Sequence, residues 1–362
     1  MADAAVHDGA VDDRAGHEAA VQGAGMLASP ARFAAAAQFW LAATLTVTAG
    51  AAVAAIALAP PATAPAPVAL AFLLFAGSSA HVASTGWFYT VAEVREHMRA
   101  HRGRYVWWPL ALITGSSAVT ALAPTVFVYW LLLPYFGWQF FHFGKQNLGL
   151  AALTASARGI APLGRAERRA LLVSGLAGIG GLVARPGLLQ LPDRTAVPLL
   201  FPAAALVFGA AVTAGAFLLA RRARADRPAG FCLMYLTALA FSLPVFCFRS
   251  PYAAVAGLTI AHGLQYLLLM GLVARGSRAQ AQRGSELAAL GNIALLGGAA
   301  LSVASDQLTA GPGLRALYGV FLGAVMAHFV IDAGLWRLRA EFPRLFLTSR
   351  LPFLIPAPGS RA

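Results

Sequence analysis

The sequence predicts an all-α polytopic membrane bundle of about ten spans. Three observations carry that reading. Of 362 residues, 59% are hydrophobic and only 11% charged, against about 25% charged in a soluble domain. The apolar residues fall in successive runs of about 20, the length a helix needs to cross a bilayer core. Those runs are continuous, which excludes a membrane β-barrel, whose strands alternate apolar and polar residues.

Residues 1–30 precede the first run and carry Asp3, Asp8, Asp12, Asp13 and Glu18 among Ala and Gly. They read as a disordered, acidic cytoplasmic tail. They lack the basic start and apolar core of a secretory signal, so the first span is expected to stay as an anchor. The bundle is expected over 31–340, with spans at 33–58, 67–91, 105–123, 125–146, 169–185, 197–220, 229–248, 252–274, 286–304 and 314–337. Residues 341–362 are expected to form a cytoplasmic tail. The breaks have turn chemistry: "APPATAPAP" at 59–67 cannot continue a helix. "RRARADRP" and "RGSRAQAQRGSE" are charged loops, and "LTAGPG" is a Gly/Pro turn.

The net charge of +13 does not point to nucleic acid. With an even span number and both termini cytoplasmic, all 27 Lys and Arg residues except Arg185, Arg194, Arg249 and Arg315 fall on the cytoplasmic side. That asymmetry is the positive-inside rule, and it assigns the protein to the inner (plasma) membrane. Gly175, Gly178, Gly180 and Gly181 give one span a small face suited to close helix packing. Cys232 and Cys247 fall in one predicted helix, about four turns apart, too far to pair.

Four of the eight histidines lie inside apolar runs, each on a different span: His81, His142, His262 and His328. Polar groups in a bilayer are costly and face a bundle interior. All four spans run in the same direction, so their depths can be compared. His81 lies 12 residues before Glu93, His262 13 before Arg275 and His328 9 before Arg337. His142 lies 16 before Arg158 if its helix continues past Lys145. At about 1.5 Å per residue, the first three differ by only about 6 Å in depth. Four imidazoles in one layer predict a shared metal site, since neutral imidazole is the commonest metal ligand and suits Fe, Cu and Zn.

Asp332 is the one carboxylate placed inside a span, one turn beyond His328. It is expected to orient a metal-bound His or to serve as a further ligand; the competing reading pairs it with Arg337 or Arg339. Gln265 and Tyr266 follow His262 at i+3 and i+4, Trp138 and Gln146 flank His142 by one turn, and Thr85 and Tyr89 continue the face of His81. Two other groups read differently. His97 and His101 have metal-ligand spacing, but the surrounding arginines make a solvated face the better reading. Lys145 is the one lysine; it reads as a residue snorkelling to the interface, not as a retinal Schiff base.

One His on each of several spans, together with "HFGKQN" at 142–147, resembles the Brp/Blh-like β-carotene 15,15′-dioxygenase family. The resemblance covers a small part of the chain. It implies His-ligated non-haem iron that cleaves a carotenoid with dioxygen. The family's HFG segment continues to an Asp where this chain has Gln146 and Asn147. The family's close His pair on a late helix is absent here, where His328 has Asp332 instead. The expected function is therefore a membrane metal-dependent oxygenase of a lipid or isoprenoid substrate, with iron ahead of Cu or Zn. Tyr266, Gln265 and Asp332 are its candidate catalytic groups. A haem-b electron carrier and a proton-coupled transporter are the alternatives.

Overall fold

A computed structural model describes residues 30–61, 64–192, 197, 199–276 and 280–355. The expected acidic tail at 1–29 lies outside the described residues, as does the end of the expected C-terminal tail. Among the described residues the chain is helical throughout, with no strand. Helix α1 spans Pro30–Ala57, α2 Val68–Thr90, α3 Ala92–Ala100 and α4 Gly103–Leu122. Then come α5 (Thr125–Ala157), α6 (Arg165–Ala184), α7 (Leu200–Arg221), α8 (Ala229–Leu239) and α9 (Leu243–Cys247). The last are α10 (Tyr252–Arg275), α11 (280–305), α12 (Pro312–Leu335) and α13 (Glu341–Arg350).

Among the described residues seven helices are long and apolar enough to cross a membrane: α1, α2, α4, α7, α10, α11 and α12. Three further segments expected as spans are helical but fall outside that set. Helix α5 is long enough, at 33 residues, but mixes Lys145, Gln139, Gln146 and Asn147 into its apolar sequence. Helix α6 opens on Arg165, Glu167, Arg168 and Arg169. The expected span at 229–248 is interrupted. Helix α8 stops at Leu239 and α9 restarts at Leu243, with Pro244 in its first turn. Proline has no N–H to offer the ladder and clashes with the carbonyl four residues back. Cys232 and Cys247 therefore lie on separate helices, correcting the single helix expected for them.

Close backbone approach fixes the helix spacing. A Cβ on Gly77 of α2 would collide with the Ile260 backbone of α10, and one on Gly263 would collide with Gly77. This reciprocal glycine contact lies four residues before His81 and one after His262. Helix α12 packs along α4 in the same way, with Gly319 against Ser116 and Ser117, and Gly323 against Ile113. On α6, Gly178 receives Ser242 and Gly181 receives Phe246, so the small face predicted there packs against the α8–α9 break.

Two apolar clusters flank the bundle interior. One joins Trp40, Trp87, Phe88, Tyr266, Met270 and Leu347; the other joins Leu132, Tyr135, Phe143, Leu258, Val325 and Phe329. Tyr266 belongs to the first, Phe143 and Phe329 to the second, and the intramembrane histidines sit between them. The described part of the expected cytoplasmic C-terminal tail packs on this body: Phe346, Leu347, Leu351 and Leu354 are buried in the first cluster. Its apolar residues recur at helical spacing, which the neighbouring arginines mask in the sequence.

Candidate metal centre

Helix α2 changes character around His81. It is π-helical over Ala76–Ala80, α-helical over His81–Ser84 and 3₁₀ over Thr85–Thr90. Single π turns inside helices are frequent at functional sites because they re-aim the following side chain. Here His81 is that side chain, and the Gly77 contact brings it against α10.

The structure brings the four intramembrane histidines together. Ring centroids lie 5.0 Å apart for His81–His262 and for His81–His328. They lie 5.1 Å apart for His142–His262 and for His142–His328. The rings thus form a closed cycle, meeting edge to face. Helix α5 does continue past Lys145, to Ala157, as the depth match for His142 required. Lys145 itself is exposed on the outer face of α5.

Two stacking contacts hold the cycle from outside: Phe143 on His262 at 4.1 Å and Phe329 on His142 at 4.5 Å. His81, His262 and His328 are 4%, 0% and 2% exposed. Nevertheless six imidazole nitrogens find no hydrogen-bond partner among the described residues. They are both nitrogens of His81, both of His262, and Nε2 of His142 and His328. The Gly77 and Ser78 carbonyls approach the His81 ring, but not in hydrogen-bonding geometry. A buried polar atom left unpaired costs roughly 1–3 kcal/mol, so six in one place ask for an explanation.

Around His328 the hydrogen bonds have only one consistent direction once Asp332 is a carboxylate. The Tyr266 hydroxyl donates to Asp332 Oδ1 at 2.9 Å. Its oxygen is then the acceptor for Thr85 Oγ1, 3.1 Å away. Thr85, having given its proton to Tyr266, must accept from His328 Nδ1 at 2.6 Å. A neutral imidazole protonated on Nδ1 carries its lone pair on Nε2. With Asp332 ionised, as a bound cation would hold it, the chain Asp332–Tyr266–Thr85 selects the His328 tautomer whose lone pair lies on Nε2. The other carboxylate oxygen, Asp332 Oδ2, lies 3.7 Å from His328 Nε2 and 3.9 Å from His142 Nε2. These separations exceed a hydrogen bond but suit two donors to a common ion.

Two sets of ligand atoms lie within 4.8 Å of one another: His81, His262 and His328, and His142, His328 and Asp332. Tetrahedral ligands at about 2.1 Å from a metal stand about 3.4 Å apart, so binding would draw the side chains together by up to about 1.4 Å. The buried cluster can hold a metal ion, with His328 common to both sets. Asp332 faces this cluster from a site 4% exposed; it is not an interfacial partner of Arg337 or Arg339.

The remaining predicted neighbours divide. Thr85 and Tyr266 reach the cluster. Gln265 points away: its Nε2 donates to Thr48 Oγ1 at 2.7 Å and its Oε1 accepts from Gln146 at 2.9 Å. Gln146 also donates to the His262 carbonyl at 3.0 Å. These amides tie α1, α5 and α10 together beside the site. Tyr89 donates to the Tyr105 carbonyl at 2.6 Å, and Trp138 meets Phe329 at 5.5 Å. Sequence reasoning missed Thr48, Phe143 and Phe329, which carry no signal apart from ordinary core residues. His97 stacks on Phe342 at 4.1 Å, and His101 Nδ1 lies 2.9 Å from the His97 carbonyl.

Fold and site together define a membrane-type helical protein with a buried histidine–carboxylate cluster competent to hold a metal. Comparison with protein-family models, curated proteins and solved structures finds no match to this chain.

Proposed function

We propose that the protein is an integral-membrane metalloenzyme of the inner membrane, with ten spans and both termini cytoplasmic. It holds one non-haem iron on His81, His142, His262 and His328 and uses dioxygen to oxidise a lipid or isoprenoid substrate. The six unpartnered imidazole nitrogens carry the reading: each is a lone pair or N–H that the fold desolvates without satisfying. Iron would supply dioxygen activation. The chain's own residues fix ligand geometry: Asp332, Tyr266 and Thr85 set the His328 tautomer, Phe143 and Phe329 hold two ring planes, and the bundle excludes water. In this reading Asp332 is a fifth ligand or an orienter and Tyr266 a positioning residue. Gln265 sets helix spacing at one remove. Carotenoid cleavage, as in the Brp/Blh-like family, is one form of this chemistry: the "HFG" at His142 favours it, while Gln146 and Asn147, where the family has an Asp, count against it.

A haem-b carrier fits less well, because rings in direct edge-to-face contact leave no room for a porphyrin between axial partners. The test is metal analysis and an optical spectrum of detergent-purified protein, repeated on His81→Ala, His142→Ala, His262→Ala and His328→Ala. Each single substitution should remove the metal while the helical content persists. Metal content unchanged in all four would falsify the site.

A further inference from the structure

The histidine cycle is not equally closed on all sides. The His328 side chain is 1% exposed and that of His142 is 14%; His81 and His262 are buried. His142 is thus the one open edge of the cycle. One turn before it, Trp138 stands 37% exposed at the end of a groove of about 420 Å³ between α4, α5 and α12. That volume lies within the range of small-molecule sites.

The lining is apolar: Leu112 and Val119 from α4, Leu131 and Tyr135 from α5, Met326 from α12. The Thr120 hydroxyl that faces it is already spent on the Ser116 carbonyl at 2.9 Å. Width comes from Ala111 and Gly115, and a Cβ on Gly115 would meet nothing within 4 Å. At the inner end Phe329 touches both Trp138 and the His142 ring. A groove without charge, whose remaining polar groups are the Ser116 and Tyr135 hydroxyls and whose Trp138 wall is linked to the His142 ring through Phe329, fits a hydrocarbon chain better than a charged solute.

We infer that this groove binds the extended hydrocarbon chain of a lipid-phase substrate and delivers it past Trp138 and Phe329 to the His142 edge. The inference rests on reading the histidine cycle as a metal centre, but it has its own readout. Protein in phosphatidylcholine vesicles is labelled with diazirine-bearing palmitate and mapped by mass spectrometry, with metal measured on the same samples. The expected result is labelling at Leu131, Tyr135, Trp138 and Met326 above that at Leu206 and Phe217, which are exposed on α7. In Gly115→Trp the groove labelling should fall to the α7 level while the metal is retained. Gly115→Leu, a smaller plug, should fall part of the way and guards against misfolding of the larger variant. Equal labelling of both faces, or groove labelling unaffected by either variant, means annular lipid only and overturns the inference. Groove labelling that responds to Gly115 in protein without metal supports the chain site and sinks the metal centre alone.

Discussion

Buried polar groups appear in two contrasting settings in this molecule. In two clusters at helix ends they are saturated. Arg350 of α13 reaches Glu286 at 2.5 Å and Glu93 at 2.7 Å, with its guanidinium 4.8 Å from the Phe346 ring. Glu167 of α6 is held by Arg222 at 2.6 and 2.9 Å and by the Gly164 N–H at 2.6 Å. In the middle of the bundle the histidine cycle is as deeply buried and largely unpaired. The first pattern spends polar groups on holding chain segments together. The second keeps donor atoms free at a cost in stability, which is the arrangement a ligand site requires. The two regions should therefore respond oppositely to removal of their polar atoms.

The largest effect is expected at the cycle. His262→Leu keeps an apolar side chain of similar bulk against Phe143 and removes two unpaired nitrogens. Metal binding should be lost, while thermal stability of the metal-free protein stays level or rises, since replacing an unsatisfied polar group by an apolar one is neutral or stabilising. A large drop in the metal-free melting temperature would show that the histidines are structural.

Arg350→Ala should do the reverse. It leaves the Glu286 carboxylate part-buried beside an empty site and releases α13, at a cost of roughly 3 kcal/mol, the low end for breaking a buried pair because Glu93 is half exposed. Metal content at room temperature should not change. Denaturant unfolding of wild type and variant checks the first statement, and elemental analysis the second.

Asp332→Asn and Thr85→Val probe the boundary between the two settings, because their hydrogen bonds are satisfied yet end on a candidate ligand. Losing a group that orients a ligand typically costs about 10–100-fold in metal affinity. Thr85→Val should fall in that range if its role is the His328 tautomer. Asp332→Asn should exceed it if Oδ2 is itself a ligand. Competition with a chelator measures both. Equal, negligible effects would show that the Asp332–Tyr266–Thr85 chain serves packing alone.

Much of the centre was legible in the sequence, and the limits have physical causes. A histidine inside an apolar run is conspicuous because the bilayer penalises it, so His81, His142, His262, His328 and Asp332 stood out unaided. Their neighbours did not. Thr85 and Gln265 each lie within one turn of a histidine along the chain, but Thr85 meets His328 across 243 residues while Gln265 turns to Thr48. Only helix packing decides between them, and that packing depends on Gly77 meeting Gly263, two among 36 glycines. The break before Leu243 was signalled by Pro244 but overridden by the apolar run around it. The packing of 341–355 was hidden because Arg344 and Arg350 read as solvated charges, and Arg350 is instead clamped between two carboxylates.

The smallest expected effect concerns the other saturated cluster. Burial alone would raise the Glu167 pKa, but hydrogen bonds from Arg222 and the Gly164 N–H outweigh it and hold the carboxyl below its usual 4.5. A carboxylate whose folded pKa is depressed contributes stability that is fully present above its unfolded value. That contribution is lost as pH falls through the folded value. The α6–α7 contact should therefore weaken only at acid pH below about 4.5, with no change near neutrality. Glu167→Gln should lower stability at neutral pH and flatten this acid limb, because the titrating group is gone and the Arg222 charge is left with a weaker partner. The measurement is the melting temperature of wild type and variant across the acid range, each with and without added metal. Parallel acid limbs in the two proteins would show that Glu167 does not titrate with folding. A metal-dependent difference would show that the helix-end pair and the histidine cycle are coupled, and would break the contrast between the two regions.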